Sequence, residues 1–259
     1  MKGLGRLLAS VGICFIGLAS VTAFAVVAIA EEPAKALLEN TDIEVSSDIA
    51  IYSKYIWRGF KLDGDPVMQP GIYLSGYGVD LSIWGSTDID SDDSITTSEE
   101  VDYSVGYSHT FNDTPLTLSG GFTYYDFPAS DGASREYYVG CSLDTMLSPG
   151  LTWYHDFGDE DSGGGSGDYV VLELGHSIPV GEFPVTLDLS SHVGYNNELF
   201  INGDGGDIGL GVGLTVQLTE ICSLSPSVNY SSPFGDLEDS GDGNQDDEFY
   251  GGATVAFSF

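Results

Sequence analysis

Basic residues are nearly missing from this sequence: seven Lys and Arg stand against 40 Asp and Glu, a formal charge of −33. So acidic a chain lacks the electrostatic footprint of a nucleic-acid binder, and no nucleic-acid partner is expected. Helical periodicity is missing as well, with no amphipathic stretch of useful length after residue 40. Beyond the N-terminus no apolar run escapes interruption by polar residues, which excludes a second membrane helix. A membrane-spanning chain of this kind is left with one architecture, a closed barrel whose backbone groups all pair with one another. Cysteine is scarce, and no cofactor or metal-ligand set is expected. The abundant residues are 35 Gly, 15 Tyr and 13 Phe, a composition that favours many short strands and turns.

The N-terminus reads as an export signal. Lys2 and Arg6 supply a basic start, and an apolar run follows from Leu7 to Ile29. Small-x-small sites lie at Ala23-Phe24-Ala25 and Ala28-Ile29-Ala30, and cleavage after Ala30 is favoured. The alternative is an uncleaved anchor, since the run is long enough to span a bilayer. Cys14 lacks the small preceding residue of a lipoprotein site, so lipidation is not expected. Removal of residues 1–30 leaves five bases against 40 acids, a charge of −35. Residues 31–41 then form a short periplasmic lead, and 42–259 the barrel. Cys141 and Cys222 remain. An even count permits a disulfide, but both fall on the expected lipid face of distant strands, where small apolar filler is the better reading.

From residue 43 the dominant pattern is period-two alternation, the mark of strands with one apolar face. The first candidate strand runs Ile43 to Trp57, with odd positions mostly apolar and even ones carrying Glu44, Asp48, Lys54 and Arg58. Eleven more follow, the clearest being Asp207–Leu218. There Ile208, Leu210, Val212, Leu214, Val216 and Leu218 alternate with glycine, Thr215 and Gln217. The fold expected is therefore an all-β, transmembrane, antiparallel up-and-down barrel of about 12 strands. Connections alternate long and short, as in barrels with short periplasmic turns and long external loops. Counted with their margins, the six long connections hold 26 of the 40 acids. The final strand presents Phe249, Gly251, Ala253, Val255, Phe257 and Phe259 on one face. Such an ending matches the strand by which the barrel-assembly machinery recognises its clients. Two features fit less well: Pro226 inside a strand forfeits a ladder hydrogen bond unless it sits at a bulge, and several strands are rich in glycine.

Three segments carry a family likeness. Ser53-Lys54-Tyr55-Ile56-Trp57-Arg58-Gly59, then Gln69-Pro70-Gly71, then Ile83-Trp84-Gly85-Ser86, resemble the opening of the TorF-type family of bacterial porins, a group of unknown function. Tyr124-Tyr125-Asp126-Phe127 and Tyr154-His155-Asp156-Phe157 suit the same family. The likeness is specific over about the first third of the chain and weaker beyond. It implies an outer-membrane barrel with a transport activity, and supplies neither a substrate nor catalytic residues.

By strand phase, Lys54 and Arg58 point into the lumen together with Asp48, Asp80, Asp102, Glu173 and Asp188. Lone buried charges are costly, so the two bases are expected to pair with some of these acids. One reading is a charged constriction that selects permeants by sign, tipped toward cations. The other is a structural ion-pair network that stiffens a narrow barrel. The acidic loops, such as Asp88 to Asp93 and Asp236 to Glu248, match no spaced calcium loop, so solvated charge is the better reading. Divalent bridging to lipopolysaccharide is a linked option. Catalysis is not expected: His155 has no serine beside it, His109 and His176 lie toward the periplasmic end, and His192 faces the lumen. The function expected is an outer-membrane pore for passive diffusion of small solutes, cation-preferring, with outer-membrane lipid and lipopolysaccharide as surroundings. Its competitor is a non-conducting surface barrel whose acidic loops bind divalent cations or mediate adhesion and envelope integrity.

Overall fold

The computed structural model describes residues 41–89, 99–130, 132–158, 165–239 and 243–259. The export signal and the lead up to residue 40 lie outside the described residues, as do residues 90–98, 131, 159–164 and 240–242 in four of the long connections. Alternating apolar residues produce the wall. It comprises β1 (Ile43–Tyr52), β4 (Val67–Gly76), β5 (Val79–Asp88), β6 (Glu100–Thr110), β7 (Leu116–Phe127) and β8 (Gly132–Leu143). The rest are β9 (Gly150–Phe157), β10 (Ser166–Pro179), β11 (Val185–Asn197), β12 (Asp204–Gln217), β13 (Cys222–Gly235) and β14 (Glu248–Ser258). These 12 strands pair antiparallel with their sequence neighbours, and β1 closes the ring by pairing with β14, Ser46 opposite Ser258 and Tyr52 opposite Gly252. Closure removes every free edge, which is what a sheet in hydrocarbon requires.

The two faces sort as the alternation dictates. Leu81, Ile83, Val105, Val139, Leu172, Ile208, Leu210, Val212 and Val228 are exposed on the outer surface. Gln69, Ser86, Glu136, Asp156 and Asp207 are buried on the inner one. For a lone soluble barrel the outer face would be untenable; a surrounding lipid phase makes it the favoured surface. No helix of the described residues is long and apolar enough to cross a membrane.

Two departures from the sequence expectation concern β1 and the strand ends. The first strand stops at Tyr52, not Trp57, and Tyr55–Trp57 (β2) pairs with Phe60–Asp63 (β3) in a separate two-stranded hairpin. Alternation could not show this, because a hairpin keeps the same period of two. At the opposite end from the short turns, strands run further than their apolar pattern. For example, β8 begins at Gly132 and β12 at Asp204. Outward residues there are polar, including Asp126, Arg135 and Asp168, so the wall continues past the apolar band.

Pro226 causes no bulge. The β12–β13 register is the same on both sides of it, and pairing is lost only between Gly213–Ser227 and Val216–Leu224. Pro70 interrupts β4–β5 in the same manner, between Met68–Thr87 and Gly71–Trp84. Each missing N–H thus costs a local ladder gap without a slip. The glycines have a steric reason. A Cβ at Gly209 would lie 2.0 Å from His192 Cε1, and one at Gly121 2.6 Å from Tyr138 Cε1. Bare backbone makes the bed on which inward rings lie. Cys141 and Cys222 are both free thiols, on β8 and β13.

Candidate functional site: a hairpin across the lumen

The β2–β3 hairpin turns at Arg58-Gly59, with φ of 49° and 82°. Positive φ at both central residues defines a type I′ turn, the tightest return compatible with strand twist. Glycine at 59 is needed twice over, since a Cβ there would lie 2.7 Å from both Asp207 Cβ and Leu237 Cδ2. The turn leaves Arg58 at the tip of the hairpin, inside the barrel at its long-loop end.

Arg58 spans the lumen. Its Nη1 and Nη2 donate to Glu136 Oε2 and Oε1 at 2.5 and 2.9 Å, a bidentate pair with a strand on the far wall. Its guanidinium carbon lies 4.5, 4.2 and 4.7 Å from the ring centres of Trp57, Tyr154 and Tyr169. Tyr154 belongs to β9, six strands from β1 in either direction round the ring. The side chains of Arg58 and Glu136 are 9% and 2% exposed. A charge pair this dry needs its remaining lone pairs satisfied. Tyr125 supplies one bond, its hydroxyl donating to Glu136 Oε1 at 3.0 Å. Tyr169 is itself fixed by donating to Asp207 Oδ1 at 2.8 Å, and His192 Nε2 lies 2.7 Å from Asp207 Oδ2.

Apolar packing and a second ion cluster hold the hairpin in place. Phe60 packs with Ile201 and Leu237, and Trp57 joins this group to Tyr169, Val171 and Leu199. Leu199 and Leu237, from the connections after β11 and β13, have no exposed surface at all. The Asn196 side chain folds the first of these loops inward, its Nδ2 donating to Leu199 O and its Oδ1 accepting from Leu199 N. Lys54 and Lys61 both pair with Glu248 on β14, and the Lys61 N–H donates to Gln245 Oε1 at 2.8 Å.

The residues singled out in the sequence are therefore scattered over several settings. Lys54 sits in the bend after β1 and Arg58 in the turn, neither on a wall strand, and both are ion-paired. Asp48 accepts weakly from Tyr73. Asp80 and Asp188 lie toward the short-turn end, each beside a cavity. The cavity of about 180 Å³ is lined by Tyr52, Asp188, Ser190, Thr215, Ser227 and Asn229 among others. The one of about 160 Å³ includes Tyr73, Asp80, Ser104 and Tyr138. Asp188 accepts from Ser177 and Thr215. Glu173 pairs in register with His192. Asp102 lies beside the Arg58 site, with its buried Oδ1 lacking a hydrogen-bond partner among the described residues.

Sequence phase missed Glu100, Glu136, Asp156, Asp207 and Glu248, which also project inward. With Glu44 on β1 and Asp88 on β5, which share the inward phase of Asp48 and Asp80, they bring the inward carboxyl groups of the wall strands to twelve, against the three bases Lys54, Arg58 and Lys61 carried by the hairpin and its stem. On the outer surface, Trp153 Nε1 and His155 Nδ1 both lie against Asp168 Oδ1, at 2.9 and 3.0 Å, with Tyr137 packed on the two rings. This is an interfacial aromatic cluster rather than a triad. Among the acidic loop residues, Asp247 accepts from the Tyr230 and Ser232 hydroxyls, which hold its carboxyl below the usual range. No group of three or more His, Cys, Asp or Glu is arranged to hold a metal ion among the described residues.

Comparison with solved structures agrees on the barrel. The NanC porin superimposes with a TM-score of 0.52 at 14% identity, over 82% of this chain and 98% of that one. The KdgM porin gives 0.52 at 12% identity, over 83% and 99%. An outer membrane channel from Pseudomonas putida F1 gives 0.53 at 10% identity, over 85% and 96%. At these identities the likeness is one of fold. No curated protein sequence matches the chain. The Gcw_chp model, described as a bacterial protein of unknown function, matches residues 38–224, well over half the chain, and the protein belongs to that family.

Proposed function

We propose that this protein is a bacterial outer-membrane pore that lets small solutes cross by passive diffusion, prefers cations, and is narrowed by the β2–β3 hairpin. The observation that carries the reading is the charge balance of the lumen: twelve inward carboxyl groups face three bases, and all three bases are already paired. A narrow, low-dielectric passage with uncompensated acids concentrates cations and repels anions. The KdgM porin has been solved with oligogalacturonate, a polyanion; the excess of acids here favours permeants of the opposite sign. Solutes enter past the acidic loops, pass beside the hairpin, and leave through the hydroxyl-lined region around Asp188. The early Ser53–Gly59 and Ile83–Ser86 segments place the chain, in our reading, with the TorF-type porins. Assembly proceeds through the terminal strand ending at Phe259, and the outer loops face lipopolysaccharide.

The burial of Arg58 and Glu136 supports a second reading, a non-conducting surface barrel whose acidic loops bind divalent cations or mediate adhesion and envelope integrity. Planar-bilayer recording of the refolded mature chain separates the two. Discrete channel events with a reversal potential of cation sign in a KCl gradient are expected, and their absence would leave the surface-barrel reading.

A further inference from the structure

The surroundings of the Arg58 side chain have the make-up of a ligand site. Three aromatic faces enclose the guanidinium at 4.2–4.7 Å, and one carboxylate meets it with two parallel N–H···O bonds. Aromatic cages of this kind select weakly hydrated organic cations, and the two-pronged carboxylate selects a planar guanidinium among them. The walls also carry more carboxyl groups than Arg58 pairs with. Glu100 and Asp102 lie close enough to repel each other, Glu136 acts on Asp102 too, and Asp102 Oδ1 is buried without a hydrogen-bond partner among the described residues. A hard divalent ion would need six or more oxygen ligands and gains nothing from the rings.

The cation is delivered by a hairpin, not by the wall. Tyr154, Tyr169, Tyr125 and Glu136 all stand on β7–β10, whereas Arg58 arrives from the β1–β4 connection across the lumen. Wall and occupant are therefore separable: if the hairpin withdraws, the far wall keeps two of the three rings, the carboxylate and its Tyr125 bond. We propose that Arg58 is a tethered occupant of a guanidinium-selective site on the far wall of the lumen, and that solutes bearing a guanidinium or alkylguanidinium group compete with it. The proposal rests on the pore reading and names the class of permeant that the pore holds most strongly. Arg58 in this view is both stopper and built-in competitor, so the site shows its full affinity only when Arg58 is gone.

The test uses the refolded mature chain and methylguanidinium chloride as probe. Arg58→Asn removes the occupant while giving the Asn-Gly pair that type I′ turns prefer, and Arg58→Gly is a second turn-compatible variant. Titration calorimetry in detergent is expected to show at least tenfold tighter methylguanidinium binding to Arg58→Asn than to wild type. Adding Glu136→Gln should return it to the wild-type level, and tetramethylammonium should bind less tightly than methylguanidinium to Arg58→Asn. Equal binding to all three proteins overturns the site, as does a preference for tetramethylammonium. If neither Arg58 variant reaches the heat-modifiable barrel form alone, refolding rescued by millimolar methylguanidinium supports the site, and no rescue overturns it. Conductance is read separately. Binding without channel activity would refute the pore and leave the site standing, whereas channels with Glu136-independent binding would do the reverse.

Discussion

The Arg58–Glu136 pair allows a quantitative forecast, because its two halves are not left in equal surroundings when one is removed. Breaking a buried pair by deleting one partner costs about 3–5 kcal/mol in general. In Arg58→Asn, Glu136, 2% exposed in the pair, loses both guanidinium bonds and keeps the Tyr125 hydroxyl as its side-chain donor among the described residues. The upper half of the range applies, roughly 4–5 kcal/mol. In Glu136→Gln, the guanidinium keeps three aromatic faces and gains an amide oxygen as acceptor, so the lower end applies, about 3 kcal/mol. The double variant removes both charges and should cost less than the sum, with a coupling of about 2–3 kcal/mol. Urea unfolding in lipid vesicles measures these differences, followed by fluorescence of Trp57 in a Trp84→Phe, Trp153→Phe background and by gel mobility of the barrel. If the hairpin undocks first, the Trp57 transition precedes the mobility change, and the costs are read from that earlier transition. A Glu136→Gln cost equal to or above that of Arg58→Asn would refute the claim that acids outnumber what Arg58 compensates. A coupling below about 0.5 kcal/mol would show the pair is not energetically joined.

Gly59→Ala should undock the hairpin, since it adds a Cβ 2.7 Å from Asp207 and Leu237 at a φ of 82°; single-channel conductance is expected to rise, and an unchanged trace would mean that the hairpin does not narrow the path. Deleting residues 54–63 should raise conductance further while keeping the gel shift of a folded barrel. The reversal potential in a KCl gradient should carry cation sign at pH 7 and move toward zero as the medium falls below about pH 4, where ordinary carboxylates protonate; a pH-independent value would show that the inward acids do not set selectivity. Phe60→Ala should destabilise the docked hairpin by about 3 kcal/mol through loss of packing on Ile201 and Leu237, read as an earlier Trp57 transition.

How much of this was legible in the sequence depends on where each residue stands relative to hydrocarbon. Within the membrane the outward half of each strand must be apolar, so alternation located the wall, its number of strands and the parity of its loops. Above the membrane water satisfies the outward face, so Asp126, Arg135 and Asp168 could be polar and the pattern faded. The strands nevertheless continue, and their inward positions there are Glu136, Asp156 and Asp207, which read as loop residues or went unnoticed. Period two also cannot tell whether a chain is still in the wall, and so Lys54 and Arg58 were placed on a strand that ends at Tyr52. Two local signals pointed to the truth. Arg58-Gly59 offers the glycine that a two-residue turn needs, and Leu199-Phe200-Ile201 is an apolar triplet in a long connection that has no lipid to face. A loop with that composition must bury its side chains somewhere, and Trp57 and Phe60 on the hairpin meet it at that height together with Tyr169, Val171 and Leu237. The stopper and the loops that grip it are thus coupled: Leu199 and Ile201 lose Trp57 and Phe60 as packing partners if the hairpin leaves, so an open state must either refold those loops or leave them more exposed. Shielding Leu199 and Leu237 from protease or solvent exchange should therefore fail in the same variants that raise conductance, and a conducting variant with both loops still protected would show that solute passes without moving the hairpin.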